Sequence, residues 1–164
     1  MTNCLNADKL YRKFGTGQAT AQTAGEYSLD GPEHCIEVIL DLTTLTQTET
    51  IVSDTVYFPK GARIDRVEVV AHTAAATGTA IDVGLIRSSD RTTEIDYNGI
   101  LAALPTANIN VDGELTNYTA GVTYAGALVG ATTATYVGHI SASMTDATAF
   151  TAGVLRIRIY YYAV

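Results

Sequence analysis

The stretch that decides the fold is residues 54–88, DTVYFPKGARIDRVEVVAHTAAATGTAIDVGLIRS. It predicts three β-strands, separated by a turn at Pro59–Gly61 and by a Thr/Ala/Gly loop at 73–80. The third strand alternates at the two-residue period of a half-buried strand, with Ile81, Val83 and Leu85 against Asp82, Gly84 and Ile86. The stretch holds no cluster of reactive side chains, so we interpret it as framework.

Short strands with turn signals between them continue along the chain. They are predicted at 35–42, 50–58, 62–73, 80–88, 114–123, 134–145 and 153–163. This pattern lacks the spacing of parallel βαβ units, so it predicts an all-β protein, an antiparallel jelly-roll-like β-sandwich. An open barrel is the alternative.

One segment favours a helix. Residues 96–104, DYNGILAAL, begin with an Asp that could act as N-cap, contain Leu and Ala, and precede Pro105 as a terminator. We therefore expect one short helix there, despite Gly99.

The first 34 residues differ from the rest in being rich in Thr, Ala, Gly, Gln and Asn and in ending at the turn Asp30–Pro32. We predict an extended N-terminal arm over residues 1–34 and a β-sandwich domain over 35–164. Fully extended, such an arm reaches on the order of 110 Å, enough to cross a neighbouring subunit. Its candidate contacts with a partner are the basic and aromatic residues Lys9, Tyr11, Arg12 and Phe14.

The charge of the chain argues against nucleic acid as a partner. The net charge is -7, and only 16% of residues are charged. Phosphate binding requires clustered Lys and Arg, whereas the basic residues here are scattered. A surface covered by small polar residues suits close packing against neighbouring copies.

Two cysteines, Cys4 and Cys35, are too few for a disulfide framework or a metal site and have no activating neighbours in sequence. The first ten residues lack an apolar core of the kind found in secretory signals, and no apolar run of 18 residues is present. We expect free thiols, no membrane span, and synthesis in a cytoplasm.

The sequence holds no motif for catalysis, and we expect neither enzymatic activity nor a cofactor nor a metal. His34, His72 and His139 have no ligand-like spacing, and each is expected at a surface or interface. Nucleophile elbows and phosphate loops do not occur. Residues 108–113, NINVDG, match the first half of a calcium loop, but Thr119 stands where a bidentate Glu is needed, so a turn between strands is favoured.

The best binding candidate lies in the last strand. Arg156, Arg158, Tyr160 and Tyr162 share one face of it, while Tyr161 points the other way. Tyr and Arg dominate the binding energy of many protein interfaces. The alternative interpretation is that the rings cover the core at a strand edge and the Arg stems lie alongside them.

Four segments of this chain resemble tailed-bacteriophage virion structural proteins of the capsid decoration, or cement, type: KLYRKFGTGQATAQTAGEY (9–27), VILDLTTLTQTETIVSDTVYFPKGARIDRVEVVAHTAA (38–75), GTAIDVGLIRSSDRTTEIDYNGILAAL (78–104) and FTAGVLRIRIYYYAV (150–164). The resemblance covers most of the chain. It implies a homotrimer on the capsid exterior of the virion, bound to the major capsid protein, with terminal arms that clamp adjacent capsomers. It also implies synthesis in the cytoplasm of a bacterial host.

Two other functions remain open at this stage. A tail or baseplate protein would also have a β-sandwich fold and would also form oligomers. A glycan-binding jelly roll for host adsorption would need an exposed aromatic platform, for which the candidates beside the C-terminal tyrosines are Tyr97, Tyr118, Tyr124 and Tyr136.

Overall fold

The computed structural model of the protein describes residues 33–52, 57–130 and 136–162. The strands in these ranges are β1 (His34–Asp41), β2 (Thr50–Ile51), β3 (Tyr57–Phe58), β4 (Arg63–Thr77), β5 (Ala80–Arg87), β6 (Glu94–Pro105), β7 (Leu115–Thr119), β8 (Gly138–Met144) and β9 (Phe150–Tyr162). Two 3₁₀ turns, Leu42–Thr44 and Thr106–Asn108, are the helical elements of the described residues. Neither is long enough to cross a membrane.

The strands form two sheets. The pairings of β2, β3 and β5 with β8, of β4 with β7, and of β5 with β6 are antiparallel. A four-stranded sheet has the order β1-β9-β4-β7, and a five-stranded sheet has the order β2-β8-β5-β6, with β3 also paired to β8. Apart from the short strands β2 and β3, which share a neighbour, only β5 and β6 follow each other within one sheet. Every other connection crosses to the opposite sheet, which is the topology of a jelly roll. The predicted all-β sandwich is confirmed.

Residues 35–161 form one compact unit, and Glu33, His34 and Tyr162 are the described residues of a second unit. The Tyr162 hydroxyl donates a hydrogen bond to Glu33 Oε1 at 3.3 Å. The rest of the predicted arm lies outside the described residues and stays a prediction.

The core lies between the two sheets and follows the alternation of the strands. In β1 the inward side chains are Ile36, Val38 and Leu40, while their neighbours in sequence are exposed. In β9 the inward side chains are Leu155, Ile157 and Ile159, all fully buried. Each such side chain contributes about 2 kcal/mol through removal of apolar surface from water. Tyr161 adds to this core by packing edge-on against Phe58, with ring centroids 5.2 Å apart.

The predicted helix at 96–104 is wrong, because these residues belong to β6. Leu101 pairs with Val83 and Leu104 with Ile81 on β5, and Leu101, Leu104 and Ile100 are completely buried. Local helix propensity amounts to a few tenths of a kcal/mol per residue, so burial of three large side chains against β5 outweighs it. The register with β5 shifts between these pairs, which reflects bulges in the ladder.

The expectation of a half-buried third strand is also wrong. In β5 all residues from Ala80 to Ile86 are buried, and β8 is buried along its whole length. Other parts of the chain therefore pack against the outer side of both strands, and the core packs against their inner side. β4 also departs from the prediction, since it continues to Thr77 through the segment expected to be a loop.

Candidate functional site

The predicted binding residues of the last strand lie on the outer side of the four-stranded sheet. We name as the arginine–tyrosine face the outward side chains of three neighbouring strands: Glu37 on β1, Arg66 and Glu68 on β4, and Arg156, Arg158 and Tyr160 on β9. They point outward because the residues that alternate with them on β1 and β9 fill the core.

Arg158 connects the three strands of this face. Its Nε donates to Glu37 Oε2 at 2.9 Å, and its Nη1 donates to Glu68 Oε1 at 3.3 Å. These two hydrogen bonds raise the pKa of the guanidinium above its ordinary value. The arginine is thus held between two carboxylates by charge-assisted hydrogen bonds at the centre of the face.

Tyr160 extends this network. Its hydroxyl donates to Glu68 Oε1 at 3.2 Å, and the Arg66 guanidinium carbon lies 3.8 Å from the centre of its ring. Burial, followed by the nearby charge of Glu68, raises the pKa of the phenol. Arg156 is held less tightly, with its Nε 3.7 Å from Glu37 Oε2, a distance too long for a hydrogen bond.

The structure therefore brings together three of the eight predicted interface residues, namely Arg156, Arg158 and Tyr160. Tyr162 continues β9 and bonds Glu33 instead. Lys9, Tyr11, Arg12 and Phe14 lie outside the described residues. The sequence analysis missed Glu37, Arg66 and Glu68. Their outward positions could be deduced from alternation along the strands, but the placement of β1 and β4 on either side of β9 could not.

The outer side of the five-stranded sheet is built differently, with polar side chains that are covered. Asp82, His139, Ser141 and Ser143 are all buried. The Ala103 N–H donates to Asp82 Oδ1 at 2.8 Å, and the Ser141 hydroxyl donates to the Glu49 carboxylate, which comes from the loop before β2. Burial raises the pKa of Asp82 against the opposing effect of the Ala103 hydrogen bond.

Glu49 lies among other carboxylates. Burial raises its pKa above the ordinary value, the Ser141 hydrogen bond opposes that rise, and the charges of Glu94, Asp96 and Asp82 add to it. Its second oxygen, Oε1, is buried and finds no hydrogen-bond partner among the described residues.

A pocket of about 420 Å³ opens beside Glu49, and we name it the polar pocket. Its lining comes from the loop before β2, the end of β5, the β5–β6 connection and the start of β6: Gln47, Thr48, Glu49, Ile86, Arg91, Thr92 and Glu94. Arg91 Nη1 lies 3.1 Å from Nε2 of His139, and the Tyr57 ring packs on the His139 ring with centroids 4.9 Å apart.

His139 therefore corrects a prediction, because it is 1% exposed rather than a surface residue. The expectation failed because the rest of β8 suggested one open face, while Tyr57 on β3 and Arg91 from a distant loop cover it. His34 and His72 are exposed, as expected.

The partial calcium motif forms a connection between β6 and β7. Gly113 has φ of 80°, and Asp112 Oδ1 accepts a hydrogen bond from the Ala74 N–H at 2.6 Å. Across the described ranges no group of three or more His, Cys, Asp or Glu residues is placed to hold a metal ion. Cys35 is a free, exposed cysteine, and partial burial of its thiol raises the pKa, so the thiol is less nucleophilic than usual.

Two of the tyrosines considered as a glycan platform are not available for that role. Tyr118 is 1% exposed, and Tyr124 packs against the core. Tyr97 and Tyr136 are exposed, and the Arg87 guanidinium carbon lies 3.9 Å from the centre of the Tyr136 ring.

The fold is similar to those of chains in three solved phage capsids. A chain of the capsid of Ralstonia phage GP4 has a TM-score of 0.54 and 13% identity, and the match covers 90% of this chain and 94% of that one. For the cyanophage Pam1 capsid the TM-score is 0.50 and the identity 16%, with 92% and 98% covered. For the acid-stable capsid of Helicobacter pylori bacteriophage KHP30 the values are 0.49 and 17%, with 82% and 90% covered.

The TM-scores of the GP4 and Pam1 matches indicate a shared fold, and at identities of 13% and 16% the likeness extends to the fold alone. The GP4 and Pam1 matches cover nine-tenths or more of both chains, so those capsid chains are close to this one in length as well as in architecture. No family model matches the sequence, and no curated protein matches it.

Proposed function

We propose that this chain is a structural protein of a tailed-phage virion, and specifically a capsid decoration protein that binds the outer surface of the shell as a homotrimer. The observation that carries the proposal is the similarity along almost the full length of two chains found in phage capsids. Because the matches cover nine-tenths or more of both chains, the likeness supports comparison with a whole capsid chain rather than with one domain of a larger protein. The four segments that resemble tailed-phage decoration proteins in sequence support the same class of protein.

The arginine–tyrosine face suits a role in assembly. Its central residue, Arg158, is 32% exposed at the side chain and already fixed by Glu37 and Glu68, so docking a partner there costs little side-chain entropy. Tyr160 and Arg66 supply the aromatic and guanidinium surface that protein interfaces favour. We propose that this face contacts the major capsid protein or a sister subunit, and that Lys9, Tyr11, Arg12 and Phe14 contribute from the arm.

We propose a structural role rather than an enzymatic one. A hydrolytic site of the Ser–His or Cys–His type would need a histidine oriented by a further polar group, usually a carboxylate. The buried histidine of this fold, His139, instead has its Nε2 against the Arg91 guanidinium.

The test uses capsids that lack this protein, incubated with the purified full-length chain. We expect symmetric density for trimers on the outer shell by cryo-electron microscopy, with each weak contact multiplied by the copies in the trimer. Deletion of residues 1–30 should abolish binding while circular dichroism still shows a folded sandwich.

Two results would contradict the proposal. Full occupancy of the shell by the deletion variant would exclude the arm as a clamp. Density for the chain as rings in the tail of native particles would exclude capsid decoration and favour a tail or baseplate protein.

A further inference from the structure

The loop that forms one wall of the polar pocket is held in a fixed conformation. Asp90 Oδ1 accepts from the N–H groups of Thr92 and Thr93 at 3.0 and 2.8 Å, and its Oδ2 accepts from the Thr93 hydroxyl at 2.8 Å. The Thr93 and Thr92 amides lower the pKa of Asp90 to about 2, so this carboxylate stays ionised in neutral solution. The loop is therefore ordered before any ligand arrives.

Arg91, at the centre of this loop, has a backbone conformation that a non-glycine residue rarely adopts. Its φ is 61°, a left-handed conformation that costs about 1 kcal/mol or more. The surroundings retain it, because the Arg91 N–H donates to the Arg87 carbonyl at 2.9 Å and the guanidinium lies on His139. The strained backbone keeps a guanidinium in the wall of the pocket.

Glu49, also in the lining of the pocket, has one carboxylate oxygen that the fold leaves unsatisfied. One oxygen of Glu49 accepts from Ser141, while Oε1 is buried without a partner in the part of the chain that the structure describes. A buried acceptor without a donor costs roughly 1–3 kcal/mol. That oxygen is closed to solvent, so a ligand in the pocket meets Glu49 as a nearby negative charge rather than as an open acceptor.

The pocket thus carries both signs of charge within one small volume. Glu49 and Glu94 disfavour a simple anion, and Arg91 disfavours a simple cation. Gln47, Thr48 and Thr92 add amide and hydroxyl groups. Adjacent hydroxyl groups match such a lining, because each hydroxyl can donate to a carboxylate and accept from a guanidinium or an amide.

An apolar surface lies close to this polar lining. The Tyr57 ring packs at a tilt of 37° on His139, the histidine that holds Arg91, and 54% of the Tyr57 surface is exposed. A flat aromatic ring of this kind covers the C–H face of a bound ring. The volume of about 420 Å³ lies within the usual range for small-ligand sites.

We propose that the polar pocket binds a carbohydrate, with sugar hydroxyls between Arg91 and the two glutamates and the sugar ring beside Tyr57. The site lies on the outer side of the five-stranded sheet, whereas the arginine–tyrosine face belongs to the other sheet. The inference does not depend on the proposed capsid role, because the isolated protein suffices to test it.

The experiment is a titration of the full-length, ¹⁵N-labelled protein with glucose, galactose, rhamnose and N-acetylglucosamine at millimolar concentration. We expect at least one sugar to shift the amide resonances of residues 47–49 and 91–94 and to leave β1 and β9 unchanged. Arrayed bacterial oligosaccharides provide a second readout of binding.

Two variants assign the effect to the pocket. Arg91→Gly removes the guanidinium and suits a positive φ, so it should weaken sugar binding about tenfold or more without unfolding the protein. Glu94→Ala removes an exposed carboxylate of the lining and should also weaken binding. The matched control is Glu114→Ala, an exposed carboxylate of the β6–β7 connection, which should bind as the parent does.

Three outcomes would overturn the inference. They are absence of shifts with every sugar together with a silent array, shifts that Arg91→Gly and Glu94→Ala leave intact, and pocket shifts with glycine, lysine or inorganic phosphate but with no sugar. The last result would assign the pocket to a charged ligand instead.

Discussion

The outer side of the four-stranded sheet and the outer side of the five-stranded sheet satisfy their polar side chains in different ways. On the first, Arg158 pairs with Glu37 and Glu68 from strand to strand, and solvent reaches the network. On the second, Asp82 and Ser141 are buried, and they bond to a backbone amide of β6 and to the Glu49 carboxylate, respectively. The arginine–tyrosine face keeps its geometry by lateral ion pairs, and the covered face keeps its geometry by close packing.

This contrast implies different energetic roles. Exposed ion pairs contribute little to stability because water and salt screen them. Close contacts between a sheet and its cover are sensitive to a single added methyl group. The covered face should therefore dominate folding, and the open face should be free to change with its binding partner.

The largest effect on stability is expected at Gly84 on β5, where the backbone of the neighbouring strand β6 lies closest. A Cβ atom on Gly84 would overlap the carbonyl oxygens of Asp96 and Tyr97, which belong to the bulged part of β6. Gly84→Ala should lower the free energy of unfolding by about 3 kcal/mol, because backbone rather than a movable side chain opposes the methyl group. Urea denaturation followed by far-ultraviolet circular dichroism measures this change.

The control is Gly121→Ala, at a position with φ of 83° and no heavy atom near the added Cβ. Backbone strain alone should cost about 1 kcal/mol there. Equal losses for the two variants would contradict the close packing of residues 96–97 on β5.

A smaller effect, with a defined dependence on pH, is expected at Asp82. Burial raises its pKa above the ordinary value of 3.8, so the folded state favours the protonated form and carries a cost when the carboxylate is charged. Asp82→Asn keeps an oxygen for the Ala103 N–H and should raise the free energy of unfolding at pH 7 by on the order of 1 kcal/mol. Urea denaturation from pH 7 to pH 3 measures the difference between the two proteins.

The sign of that dependence follows from the raised pKa. The stability contributed by protonated Asp82 is fully present below the ordinary value of 3.8 and is lost as pH rises through the folded pKa. The advantage of the variant should therefore disappear as the pH falls below about 4. Asp65→Asn, at an exposed position on β4, is the control, and an advantage of Asp82→Asn that persists at pH 3 would contradict the burial of a charge.

The smallest effect on stability is expected on the open face. Arg158→Met should lower the melting temperature by no more than about 2 °C, and the loss should shrink in about 1 M salt. Thermal denaturation at low and high salt measures it. The control is Arg63→Met, whose guanidinium donates to the neutral Gly130 carbonyl at 2.8 Å and should respond less to salt. A large loss at Arg158 that salt leaves unchanged would make this face a determinant of the fold.

The sequence predicted the parts of the fold that depend on short-range pattern. Alternation identified the inward residues of β1 and β9 and the outward direction of Arg156 and Arg158. It failed at residues 96–104, where Ala and Leu favour a helix locally but pairing with β5 buries Ile100 and Leu101. Alternation also failed at His139, because the pattern along β8 predicts an exposed side chain and the structure buries it.

The candidate sites were harder to predict than the strands. The arginine–tyrosine face depends on strands that are neighbours in the sheet but distant in sequence, since Glu37 lies 121 residues before Arg158. The polar pocket is lined by residues from the loop before β2, the end of β5, the β5–β6 connection and the start of β6, and His139 of β8 contacts Arg91 in that lining. No local spacing of residues encodes either arrangement.

By itself the sequence determined the class of this protein, its strand content and the two-residue alternation that separates core from surface, because these depend on side-chain preferences over a few residues. The tertiary structure alone decided which strands are neighbours, which sheet face is covered, and which charges meet. The physical reason is that these outcomes follow from long-range burial of apolar surface, which is worth more than local propensity and is not recorded in any short segment.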